Sequence, residues 1–137
     1  MRASSTLGTG ALLLAAIDAF APQAAAQTRP TPALNTIKDV GHALGACWVP
    51  PPVEKSRPGT QITFWITFRR SGEVMGEPKI TYITPGLPQE IRSAYQMSVA
   101  DAISRCSPLP FTPALGAAVA GRPFAMRYDD TRGQKGA

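Results

Sequence analysis

The chain holds little of what chemistry usually needs. Among its 137 residues are one histidine and two cysteines, which leaves few ways to build a histidine-based relay or a multi-ligand zinc site. Charged residues make up 17% and aromatic residues 7%, so the chain is no disordered polyelectrolyte. No apolar run reaches the roughly 20 residues that a bilayer crossing requires, which sets a membrane bundle aside. What is present is a length suited to one domain, with 44% hydrophobic residues to build its core. An enzyme is disfavoured from the outset.

The first residues have the layout of a secretory signal. Arg2 gives a positive start, Leu7 to Ile17 an apolar run, and Ala24-Ala25-Ala26 an A-x-A cleavage pattern before Gln27. Asp18 and Pro22 break the run short of a transmembrane length. The expectation is a signal peptide over residues 1–26, cleaved after Ala26, then a flexible lead over 27–32. Export changes how the cysteines read. In an oxidising compartment Cys47 and Cys106 have only each other, and a disulfide is expected. The chain-entropy view puts the stabilisation from closing a loop of about 60 residues at roughly 4 kcal/mol. A redox role is disfavoured, because no C-x-x-C spacing lowers a thiol pKa.

Periodicity then divides the mature chain. From Ala33 to Trp48, apolar positions at Leu34, Ile37, Val40, Leu44 and Cys47 predict a first helix, weakened by Gly41 and Gly45. His42 lies off that stripe and reads as solvated. Pro50-Pro51-Pro52 stops the helix, and Trp48 reads as a hydrophobic cap on the core. From Gln61 to Arg69 the period changes to two. Ile62, Phe64, Ile66 and Phe68 face one way; Gln61, Thr63, Trp65, Thr67 and Arg69 face the other. A turn at Arg70-Ser71-Gly72-Glu73 leads to a second strand, Val74 to Ile83. Its Pro78 requires an edge position or a bulge. Ile91, Ala94, Tyr95, Ser98, Val99, Ala102, Ile103 and Cys106 mark the clearest helix. Pro108, Pro110 and Pro113 end it, Gly116 to Gly121 reads as a small-residue loop, and Phe124, Met126 and Tyr128 alternate in a third strand. Asp129 to Ala137 is polar and expected to fray, with 131–137 a disordered tail. The expected class is α+β: two layers, a three-stranded antiparallel sheet covered on one face by two helices, order α-β-β-α-β, one disulfide.

Several segments together resemble a known family. They are Cys47-Trp48-Val49-Pro50-Pro51-Pro52, the strand Ile62 to Phe68, Ser71-Gly72-Glu73-Val74 followed by Pro78, Ile103-Ser104-Arg105-Cys106-Ser107-Pro108, and Phe124-Ala125-Met126-Arg127-Tyr128. Their order and spacing, over Ala33 to Asp130, resemble the C-terminal domain of TolA and TonB, and the cysteine pair favours the TolA side. The resemblance implies a periplasmic, non-enzymatic domain over 33–130 that binds envelope proteins, with strand addition at a sheet edge as one mode. Full-length members carry a membrane helix and a long spacer, which this sequence lacks. The expectation is therefore a free-standing form, an adapter in cell-envelope integrity or Tol/Ton-type transport complexes, without a transmembrane anchor after signal cleavage.

Two features point to binding independently of the resemblance. A sheet covered on one face leaves an edge open to an incoming strand, and Trp65 projects from the face opposite the core, where a large aromatic serves as an anchor. Thr63 and Thr67 share that face. Tyr82, on strand two, fits either face; these four are the candidate protein-binding residues. The net charge of +5 comes from scattered residues with no interleaved aromatics, so nucleic acid is not expected as a partner. No metal ligand set and no cofactor loop is present in the pattern. Glu54, Glu73, Glu77, Glu90, Asp101, Asp129 and Asp130 each have an ordinary structural place, and no serine stands in a nucleophile elbow. The alternatives are a secreted structural or inhibitory protein unrelated to Tol or Ton and, further off, a hydrolase.

Amino-terminal sequencing of the exported chain should begin at Gln27. A chain retaining Met1, or active only as a cytoplasmic reporter fusion, would overturn the signal peptide.

Overall fold

Thr36 starts the first helix. Its Oγ1 accepts the Asp39 N–H at 3.1 Å while Asp39 Oδ2 accepts the Thr36 N–H at 3.1 Å, a reciprocal capping box. The Asn35 N–H adds a bond to the same carboxylate at 3.0 Å. These bonds, that from Asn35 foremost, hold the Asp39 carboxyl below the usual carboxylate range. In this computed structural model, which describes residues 32–133 together with Gly8 and Gly10, helix α1 therefore runs Ile37–Cys47. It begins later than Ala33, because Leu34 belongs to another contact: its N–H donates to the Pro110 carbonyl at 2.7 Å and its carbonyl accepts from Thr112 at 2.9 Å. Apart from the two glycines, the expected signal peptide over 1–26 lies outside the described residues, as does the lead up to Thr31.

The sheet is built around β1, Gln61–Ile66, with β2, Lys79–Ile83, on one side and β3, Phe124–Asp129, on the other, both antiparallel. Two expected strands are shorter than their alternation. After Ile66 the ladder gives way to isolated bridges from Phe68 to Val74 and Ala120. The expected turn is present, with Arg69 N–H on the Glu73 carbonyl at 2.7 Å. The chain then leaves the sheet through Gly76, at φ +69°, and Pro78, which has no N–H to offer a ladder. Both options open to Pro78 are realised nearby: β2 is an edge strand, and its register with β1 shifts between Thr63 and Phe64. Glycine is required at Gly72, where φ is +89° and a Cβ would collide with the Leu109 carbonyl.

Helix α2, Gln89–Cys106, lays Tyr95, Val99, Ala102 and Ile103 on the inner face of the sheet. There they meet Ile62, Phe64, Ile66 and Phe68 from β1 and its extension, and Val40 and Leu44 from α1. The class is α+β, with one three-stranded antiparallel sheet and a disulfide. A third helix was not expected. Residues read as a loop form α3, Pro113–Val119, whose N-cap Thr112 accepts the Leu115 N–H at 3.2 Å with Pro113 in the first turn. Pro113 thus starts a helix, a position where its missing N–H costs nothing. α3 adds Leu115 and Val119 to the core, and Gly116 sits where a Cβ would meet the Arg70 carbonyl.

The disulfide joins the C-terminal ends of α1 and α2, with Cα atoms of Cys47 and Cys106 6.0 Å apart. Arg105 donates from Nε and Nη2 to the Cys47 carbonyl at 3.3 and 2.8 Å, satisfying a helix-end acceptor. Next in sequence, Trp48 stacks on Tyr128 at 4.8 Å between centroids, and its indole N–H donates to Ser98 Oγ at 3.0 Å. Burial pushes the Tyr128 phenol up to about 12, and its O–H donates to the Leu44 carbonyl at 2.7 Å.

The carboxyl end departs from expectation. Asp129 closes β3, and Asp130, expected to fray, is buried. Its N–H donates to the Thr60 carbonyl at 2.9 Å and its carbonyl accepts from Gly59 at 2.7 Å. Its carboxylate accepts the Tyr95 O–H at 2.6 Å and Arg132 Nη2 at 2.8 Å. Arg132, placed in the expected disordered tail, thus serves as the counter-charge, and only 134–137 of that tail lie outside the described residues. Hydrogen bonding from Arg132, then from Tyr95, holds the Asp130 carboxyl below its usual range. Desolvation, then the Asp130 contact, pushes the Tyr95 phenol up.

A carboxyl depressed in the native state stabilises the fold above its unfolded pKa, about 3.9, and that stability is lost as the pH falls through the native value. Asp130→Asn should cost about 1–3 kcal/mol at pH 7 and flatten the acid limb of a denaturant-melt pH profile; an unchanged limb would remove Asp130 from this role. Cys106→Ala should cost about 2–4 kcal/mol in the same melts, and reductant should lower the wild type to match.

Candidate functional site

Alternation along β1 divides the sheet into a buried and an open face. Opposite Ile62, Phe64 and Ile66, all buried, stand Gln61, Thr63 and Trp65. Directly paired residues share a face, so Thr63 is flanked by Tyr82 on β2 and Arg127 on β3, and Trp65 by Lys79 and Ala125. Tyr82, which the sequence left on either face, is on the open one. Trp65 and Tyr82 are 42% and 47% exposed and diagonal to each other, two large aromatics on a surface that no described helix covers. Thr67 lies just past the end of β1, half-buried, its carbonyl accepting the Met75 N–H at 2.8 Å. The four sequence candidates therefore gather on one side, three of them within the sheet and Thr67 at its margin.

The surroundings are polar and basic. Arg127 pairs with Asp129 at 3.0 Å across exposed surface, a bond worth under about 1 kcal/mol in water. Lys79, beside Trp65, has no ion-pair partner among the described residues. The two outer strands offer backbone groups as well. Because the Asp130 N–H pairs with Thr60, alternation turns the N–H and C=O of Ala125, Arg127 and Asp129 away from β1. Trp65 and Thr63 are on the central strand, so the aromatic anchor and the strand edges are neighbouring features of the sheet.

No catalytic constellation assembles among the described residues. His42 is exposed on α1, and no group of three His, Cys, Asp or Glu side chains is placed to hold a metal ion. A cavity of about 660 Å³ lies between the Pro50–Pro52 segment and α2. Its one buried hydroxyl, Ser98, is committed: it donates to the Tyr95 carbonyl at 2.6 Å and accepts from Trp48. No described helix is long and apolar enough to cross a membrane.

The fold and site were legible unevenly. The Tyr95–Asp130–Arg132 network was missed; its only trace in the sequence is an Asp-x-Arg step just after an alternating strand. The capping box was also missed, though Thr36 and Asp39 have its spacing.

Residues 30–132 match the family described as uncharacterised conserved protein UCP034077. The chain belongs to that family. The family description assigns no activity, and no curated protein and no solved structure matches the chain.

Because Trp65 is half in solvent and Phe64 wholly buried, the two neighbours should respond unequally to truncation. Trp65→Ala should cost under about 1 kcal/mol in chemical denaturation, and Phe64→Ala about 3–5 kcal/mol. Comparable losses would show that Trp65 is part of the packed structure.

Proposed function

We propose that this chain is a periplasmic, non-enzymatic protein-binding module, an adapter in the cell envelope that engages partner proteins through the open face and edges of its sheet. The carrying observation is the diagonal placement of exposed Trp65 and Tyr82 on the open face of a sheet whose outer strands keep unpaired backbone groups. Tryptophan, tyrosine and arginine are the residue types that dominate binding energy at protein interfaces, and all three stand together here. The disulfide supports an oxidising compartment, in keeping with the signal-like start. The resemblance to the TolA and TonB C-terminal domain supports the same reading. The net charge of +5 assists encounter with acidic partners.

In-cell crosslinking followed by purification of the tagged chain should capture a defined set of envelope proteins. Trp65→Ala, which leaves the core untouched, should lose at least one of them. An identical set from wild type and variant would count against the open face, and recovery of the chain only from the cytoplasm would overturn the periplasmic reading.

A further inference from the structure

We infer that the open face of the sheet packs against the same face of a second copy, about a two-fold axis lying in the plane of the interface; this rests on the protein-binding reading above and names one partner of that face. The register lays the face out as a grid. Gln61, Thr63 and Trp65 form its middle column on β1, with Tyr82 beside Thr63 and Lys79 beside Trp65 on β2. On β3, Asp129, Arg127 and Ala125 stand beside the same three residues in turn. Lys79 and Asp129 are therefore opposite corners, the one basic and the other acidic.

A closed pair of identical faces is isologous, so that whatever one residue gives to another it receives back from the partner's copy. Of the in-plane axes through Thr63, one along β1 sets Trp65 on its own copy, and one across the strands sets Arg127 on its own copy. The diagonal through Lys79 and Asp129 brings each charge against itself. The other diagonal, through Thr63 and Ala125, does the reverse. Reflected across it, Lys79 meets the partner's Asp129, Arg127 meets the partner's Trp65, and Gln61 meets the partner's Tyr82, each contact being made twice. Only Thr63 and Ala125 face their own copies, and both are small and uncharged. With steps of about 4.8 Å across strands and about 6.8 Å along them, the strands of the two copies cross at roughly 70°, near the orthogonal mode of sheet packing.

The groups that meet across this axis have capacity left within the chain. Lys79 has no ion-pair partner among the described residues. Arg127 engages Asp129 through Nε alone, at 3.0 and 3.1 Å, so its two terminal nitrogens stay free to lie over the indole of the partner's Trp65. The Asp129 carboxylate, 37% exposed, keeps lone pairs for the partner's Lys79. The face is small, however: three strands of five or six residues present about 14 by 20 Å, under the roughly 800 Å² that each side of a standard interface contributes. The pair is therefore weak and concentration-dependent.

The experiment is sedimentation equilibrium of the purified full chain, disulfide intact, from about 10 μM to about 1 mM, a range that spans weak association. Wild type should pass from monomer to dimer within it, less readily as salt is raised. Lys79→Asp sets acid on acid twice across the interface, and Asp129→Lys sets base on base twice; each alone should weaken dimerisation at least about tenfold. An equimolar mixture of the two variants should associate again, because every acid of one chain then faces a base of the other. Trp65→Ala should weaken the pair as well. Should a charge variant fail to fold, Thr63→Arg decides the matter: it sets a charge on the axis against its own copy and should keep the chain monomeric. A mixture that stays monomeric while wild type dimerises would overturn the axis. A dimer kept with Lys79→Asp but lost with Met97→Glu would move the interface to the Pro50–Pro52 cleft that Met97 lines, and overturn the inference. A chain monomeric up to about 1 mM would overturn the second copy; envelope proteins still lost with Trp65→Ala would then leave the protein-binding reading standing.

Discussion

The covalent tie between Cys47 and Cys106 is the constraint around which the rest is arranged. It holds the ends of α1 and α2 together at the point where Trp48 follows α1. From there the indole reaches Ser98 on α2 and stacks on Tyr128 of β3, while the Tyr128 hydroxyl returns to the Leu44 carbonyl of α1. Two helices and the third strand thus meet within a few residues of one bond. A small domain has limited apolar surface to bury, and fixing the helix pair at one end lets α2 hold its Tyr95 to Ile103 stripe against β1 without a second layer behind it.

That economy leaves one face of the sheet bare. A third layer would have covered Trp65 and Tyr82 as the helices cover Phe64; instead the outer face is set with threonine, glutamine, lysine and an Arg–Asp pair around the two aromatics. Tryptophan, tyrosine and arginine are residue types enriched where proteins meet. The polar groups that are buried, Ser98, Asp130 and the Tyr95 hydroxyl, are occupied in holding elements together, and none is left over among the described residues.

What the sequence disclosed followed from period and punctuation. The alternation Ile62 to Phe68 and the helical stripe ending at Cys106 were readable because both are long and one-sided, and with them came the open face and the placement of Trp65. The misreadings arose where short-range signals competed. Pro113 after two other prolines looked like a helix stop, yet with Thr112 before it and alanines after it, it began α3. Ala33 seemed helical by apolar spacing, whereas Leu34 pairs with the segment at Phe111, a long-range contact that no local pattern announces. Asp130 looked like a polar tail because burial of a carboxylate depends on Tyr95 and Arg132 meeting it in space.

The position of β1 at the centre has a bearing on the order in which the molecule can assemble. Its neighbours come from unequal distances along the chain: β2 follows closely, but β3 comes only after α2 and α3. Until it arrives, Ile62, Phe64 and Ile66 have a strand on one side alone, Trp48 lacks its stacking partner, and Tyr95 lacks the carboxylate it bonds. Loop closure over so long a separation is entropically slow. The seam between β1 and β3 therefore closes only after α2 and α3 have been made, and until then the sheet is unfinished.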